Sequence, residues 1–125
     1  MINQNIKMNW LKLESIEQLQ TIKDNSSKNL VLIFKHSTRC SISRAALDRL
    51  ERNWQQDEMR DVKPFFLDLI RYRDVSDQLA EDFSVEHESP QVLFIKNGQS
   101  VYDRSHIGIN YKELAAIAQG PAAIY

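Results

Sequence analysis

Among its 125 residues the chain has one cysteine, three glycines and three prolines. A single cysteine, Cys40, excludes an internal disulfide. That removes a disulfide-stapled secreted scaffold and any intramolecular Cys-x-x-Cys redox couple. Structural zinc favours ligand pairs at C-x₂₋₄-C or H-x₃₋₅-H spacing, and Cys40 with the three histidines offers neither, so no metal is expected. No apolar run approaches the ~20 residues needed to span a bilayer. Residues 1–7 hold no apolar stretch of signal-peptide length. The expectation is a cytoplasmic protein with no membrane association. Lys and Arg number 16 against 17 Asp and Glu, for a net charge of −1, so no nucleic-acid partner is expected. Hydrophobic content of 42% is that of an ordinary globular chain. The scarcity of glycine and proline goes with the lack of low-complexity segments, repeats or a second domain, and one monomeric domain over 1–125 is expected.

What is present centres on Leu30 to Leu50. Five apolar residues, Leu30 to Phe34, suit a strand buried on both faces. A polar elbow follows, Lys35-His36-Ser37-Thr38-Arg39, expected to be exposed. After Cys40 the apolar period changes to four, through Ile42, Ala46 and Leu50, and a helix is predicted to about Gln56. Cys40 thus stands where a buried strand hands over to a helix. The first N–H groups of a helix lack partners and carry partial positive charge, which favours the reactive thiolate. Lys35, His36, Arg39 and Arg44 add positive charge nearby.

The remaining chain reads as alternating strands and helices. A short strand over Asn9–Leu13 precedes a capping box, Ser15-x-x-Gln18, and a helix carrying Ile16, Leu19 and Ile22. Asp24-Asn25-Ser26-Ser27 ends it. Lys63–Leu69 is a strand that tolerates Pro64 near its start. Asp74 caps a helix with Val75, Leu79 and Phe83 on one face. The loop Glu86-His87-Glu88-Ser89-Pro90 leads to a strand at Gln91–Lys96, a hairpin turn at Asn97-Gly98 and a partner strand at Gln99–Arg104. Asn110-x-x-Glu113 caps a last helix, ended by Gly120-Pro121. The order β-α-β-α-β-α-β-β-α implies an α/β fold: a mixed central sheet of four to five strands flanked by about four helices. Chemistry in such sheets gathers at the carboxyl ends of parallel strands, where Cys40 lies.

Several side chains stay open between two readings. Ser43 either faces solvent or donates its hydroxyl to the thiolate three residues back; Thr38 is similar. His36 is a general base, a proton donor to the leaving thiol or a polar strand-end residue. His87 and Glu88 either meet substrate or are ordinary surface groups, and His106 lies in the loop before the last helix. Gly108 either needs a positive φ or a close approach, or sits in a plain turn.

Strand order, a cysteine opening the second helix and a proline just before the hairpin together resemble the thioredoxin fold, over roughly residues 8–119. The segment Phe34-Lys35-His36-Ser37-Thr38-Arg39-Cys40-Ser41-Ile42-Ser43 resembles the active-site segment of the monothiol bacilliredoxins. That family has a Phe-Lys-His-Ser lead-in followed by a Cys-Pro-Ile-Ser type of motif. Ser41 stands where it commonly has proline. Thioredoxins proper bury an acid where Phe34 stands, to assist a second thiol, and Ser43 occupies that second position here. The resemblance implies a cytoplasmic, stress-associated oxidoreductase that removes a low-molecular-weight thiol, bacillithiol or an equivalent, from S-thiolated client proteins. No bound cofactor is implied; the small thiol is a co-substrate. It further implies Cys40 as nucleophile, with Ser43, His36, Thr38 and Arg39 in support. Ser41 and Ile42, and Ser89 before a cis Pro90, would hold the substrate. Two other classes compete: an iron–sulfur carrier like the Cys-Gly-Phe-Ser glutaredoxins, which the missing glycine disfavours, and a non-catalytic thioredoxin-fold binding module.

Overall fold

The structure is a computed structural model that describes residues 8–119. The expected lead-in over 1–7 and the Gly120-Pro121 helix stop lie outside them. The elements are β1 (Leu11–Lys12), α1 (Ile16–Asn25), β2 (Leu30–His36), α2 (Ser41–Asn53), β3 (Val62–Asp68), α3 (Arg73–Phe83), β4 (Gln91–Lys96), β5 (Gln99–Ser105) and α4 (Tyr111–Ala118), with a single 3₁₀ turn at His106–Gly108. The five strands form one sheet in the order β1-β3-β2-β4-β5. β3 runs parallel to β1 and β2, whereas β4 is antiparallel to both β2 and β5.

Period-two alternation divides the buried residues between two faces. Leu32 and Phe34 of β2, with Val92 and Phe94 of β4, pack with Ala46 and Leu50 of α2 and Leu114 and Ala115 of α4. Val31, Ile33, Leu93 and Ile95 pack with Leu19 and Ile22 of α1 and Val75, Leu79 and Phe83 of α3. Two helices therefore cover each face, and β2 is paired along both edges.

Local signals worked where the partner was local. The Ser15 hydroxyl accepts from Gln18 N, and the Gln18 side chain returns to Glu14 N rather than to the cap itself. Asn110 accepts from Lys112 N and Glu113 N. Asn97 and Gly98 take positive φ angles of 53° and 74°, as the two-residue turn requires. Three expectations are corrected. α2 stops at Asn53, because Trp54 turns into extended backbone and buries its indole in the core. α3 is capped by Tyr72 without a side-chain bond, and Asp74 sits inside the first turn, where its charge still suits the helix dipole. β2 continues through Lys35 and His36, which pair with Leu67 and Asp68 of β3 and are buried.

One buried serine ties the end of α1 to the β4–β5 hairpin. Ser26, at the end of α1, accepts from Gly98 N through its hydroxyl at 2.7 Å and from Asn97 N through its carbonyl at 3.0 Å. Removing the hydroxyl leaves a hairpin amide without its partner, which typically costs about 1–3 kcal/mol. Ser26→Ala is therefore expected to lower the unfolding free energy from urea titration by that amount, while Ser27→Ala at the exposed neighbour leaves it within about 0.5 kcal/mol.

Candidate active site

The carboxyl ends of β2 and β3, the amino end of β4 and the turn after β5 meet at one end of the sheet. Two loops rise there. One runs from Ser37 to Cys40 and is closed by a bond from Cys40 N to Ser37 O at 3.2 Å. The other carries Ser89 and Pro90, joined by a cis peptide bond, into β4. Because Lys35 pairs with Gln91, Pro90 lies one step beyond the register, beside the end of β2.

Cys40 is the N-cap of α2, with extended backbone, and its side chain makes no capping bond. Its thiol is partly exposed. Cys40 thus stands at the N-terminal end of a 13-residue helix, whose first N–H groups have no partner within the helix. Thr38, Arg39, Ser41 and Ile42 are exposed around it. Ile42, on the first turn of α2, is 56% exposed despite its apolar side chain.

Ser43 does not face solvent: it is 0% exposed. Its hydroxyl accepts from Ser37 N at 3.1 Å and lies 2.7 Å from His36 Nδ1. With the oxygen receiving the Ser37 amide, the O–H is left to donate to a neutral imidazole nitrogen. His36 is held neutral, its pKa lowered first by burial and then by the Arg44 guanidinium, against the opposing pull of Asp68 and Asp48. Its ring neighbours those of Phe34 and Phe66, at centroid distances of 6.2 and 5.4 Å. The pair latches the end of β2 to the first turn of α2 and so fixes the loop that presents Cys40.

Lys35 does not place its charge beside the sulfur as expected. It points to the opposite face from His36, with Nζ 2.8 Å from His87 Nδ1 and 3.1 Å from Gln91 Oε1. Gln91 escaped the sequence reading; the available signal was an amide opening an otherwise apolar strand. Ser89 Oγ is shielded from solvent and has no hydrogen-bond partner among the described residues. Pro90 O accepts from His106 N at 3.0 Å. His106 takes the left-handed backbone, φ 55°, that had been considered for Gly108. A Cβ on Gly108 would meet only Arg104 at 3.5 Å, so a plain turn accounts for that glycine. Among the described residues no three of His, Cys, Asp and Glu converge as a metal-binding group.

Over residues 11–114 the sequence matches the family described as monothiol bacilliredoxin BrxC. The chain belongs to the monothiol bacilliredoxin family. A solved structure described as an oxidoreductase with a thioredoxin fold is 36% identical, covers 87% of this chain and 92% of its own, and superposes with a TM-score of 0.72. Thioredoxins from Malassezia sympodialis and Fasciola hepatica, at 16% and 20% identity, share the fold with TM-scores of 0.69 and 0.64. The first covers 88% of both chains, the second 86% of this chain and 94% of its own. This bacilliredoxin is a thiol–disulfide oxidoreductase with the thioredoxin fold. Its second motif position is filled by a buried hydroxyl rather than a thiol, and the hydroxyl serves the His36 latch. No helix among the described residues is long and apolar enough to cross a membrane.

The His36 latch carries a pH signature. A histidine whose folded pKa lies below its unfolded value of 6.5 binds fewer protons folded than unfolded in that window. Its contribution is complete above 6.5 and is lost as pH falls from there through the folded value. Compared with a His36→Asn variant, the wild type is expected to lose stability on acidification below about pH 6.5, as read by urea titrations across that range.

Proposed function

We propose that this bacilliredoxin removes bacillithiol from S-thiolated proteins through Cys40. The observation that carries the reading is a partly exposed lone thiol at a helix N-terminus, with a buried serine where a second thiol would stand. The Cys40 thiolate attacks the small-thiol sulfur of a client's mixed disulfide. The client's S–S bond breaks, its sulfur leaves as thiolate and takes a proton from solvent, and Cys40 now carries the small thiol. A second small thiolate attacks that adduct, restores the Cys40 thiolate and departs as the symmetrical disulfide. Exchange of this kind needs access to the sulfur, and the partial exposure of Cys40 supports it here. The open N–H groups near Ser41 and Ile42 and the backbone of Ser89 are suited to hold the disulfide, with Thr38 and Arg39 at the rim. Because no resolving cysteine exists in the chain, the small thiol is a required co-substrate. A lone exposed thiol operates in a reducing compartment, which supports a cytoplasmic location.

The decisive experiment uses a client protein bearing one bacillithiol mixed disulfide, followed by intact-mass spectrometry. The client should lose one bacillithiol while Cys40 gains one, and a glutathionylated client should turn over at least about tenfold more slowly by kcat/KM. Cys40→Ser should fold normally and transfer nothing. Transfer by that variant, or an adduct on any other residue, rejects the reading.

Ser43→Cys tests the monothiol step separately. The introduced thiol enters a buried position on the first turn of α2, three residues from Cys40. It is expected to form a reversible intramolecular disulfide and to expel bound bacillithiol without a second free thiol. Persistence of the Cys40 adduct in single-turnover mass spectra would contradict that geometry.

A further inference from the structure

Lys35 is 0% exposed and lies on the face of the sheet covered by α1 and α3, where Val31 and Ile33 of the same strand belong to the apolar core. A buried ammonium is costly, and an apolar side chain of similar length would often give equal or greater stability. Its neighbours only partly compensate. Asp77 of α3 and Glu88 of the following loop attract it, while Arg73 of α3 repels it, and burial leaves its pKa lowered to about 8. The cost of burying this ammonium has to be offset by its contacts.

Lys35 Nζ donates to His87 Nδ1 at 2.8 Å and to Gln91 Oε1 at 3.1 Å. Gln91, itself 1% exposed, donates through Nε2 to Glu86 O at 3.1 Å, and its Oε1 also accepts from Glu88 N at 3.4 Å. Two buried side chains on paired strands therefore grip three consecutive residues, 86 to 88, that lead directly to Ser89 and the cis proline. The histidine plays its part unprotonated: burial, then Lys35 and Arg73, lower its pKa and leave Nδ1 free to accept. On the far side, His106 N holds Pro90 O, and His106 Nε2 lies 3.7 Å from the Glu88 carboxylate, a half-exposed pair of little weight.

We propose that Lys35 and Gln91 are positioning residues for the loop that receives the substrate disulfide. Lys35 and His36 are adjacent on β2 and face opposite ways, so one strand end sets both halves of the site. His36 steadies the Cys40 side through Ser43, and Lys35 steadies the Ser89 side through Gln91 and His87. The inference rests on the proposed reading of Ser89 as part of the substrate seat.

The test compares wild type with Lys35→Met, of similar length and without charge. Backbone hydrogen exchange, read without substrate, should rise about tenfold or more at Glu88, whose N–H donates to Gln91 Oε1, while the Ile33 and Leu93 amides keep their protection. With the bacillithiolated client, kcat/KM should fall about tenfold, chiefly through KM, while the iodoacetamide rate at Cys40 stays within about twofold. Gln91→Leu should reproduce both effects, and the double variant should be little worse than either single one. Unchanged exchange in the loop overturns the inference, as does an equal loss in the client and iodoacetamide assays. A wild type that fails to turn over the client counts against the proposed function alone, since loop exchange decides the positioning claim independently.

Discussion

Everything at the active end depends on β2 being paired with β3 through His36 and with β4 through Lys35. β3 pairs with it from Leu30↔Val62 to His36↔Asp68, and β4 from Val31↔Ile95 to Lys35↔Gln91. Strand geometry then leaves no choice about side-chain direction: successive residues go to opposite faces. The apolar residues Val31 to Phe34 feed both cores in turn. The same rule sends Lys35 into one layer and His36 into the other, although both are polar. An earlier end to the strand would have left both side chains in water.

Polar groups in such positions demand partners, because an unsatisfied buried donor or acceptor costs as much as a good hydrogen bond contributes. His36 finds Ser43, and Lys35 finds His87 and Gln91. Each partner belongs to a different element, so satisfying the group fixes a loop. The site is built by spending buried polarity on geometry rather than by adding apolar area. In a monothiol enzyme this has a particular consequence at Ser43. The position that would hold a resolving thiol in a dithiol relative is here a buried hydroxyl bonded to His36 Nδ1 and Ser37 N.

Much of the fold was legible because its signals are local. A continuous apolar run followed by a period of four marked β2 and α2. Asn97-Gly98 marked the hairpin because the turn itself needs two left-handed residues. Ser15 and Asn110 marked helix starts because their partners lie two or three residues on. Failures came where the deciding contact was distant. Trp54 left α2 early to enter the core, and Asp74, a good cap by type, lost the position to Tyr72 because the preceding turn at Asp68 to Tyr72 set the start of α3. At the site, the placement of Cys40 at a helix N-cap was readable, and so was the cis Pro90 through family resemblance. Ser43 was readable only as a neighbour of Cys40, since three-residue spacing says nothing of a strand end passing beside the helix.

By itself, then, the sequence determined the order of elements, the single thiol and its place at a strand-to-helix junction, and the absence of any second cysteine to resolve an adduct. Those are properties of adjacency and count, and no packing arrangement alters them. Tertiary structure alone decided that Lys35 and His36 are buried, that they face opposite layers and that each is tied to a separate loop. The reason is physical: burial of a strand end is set by what pairs with it on both sides, here β3 and β4, which begin 26 and 55 residues beyond His36. A polar pair following an apolar run reads as an exit to solvent until those neighbours are in place.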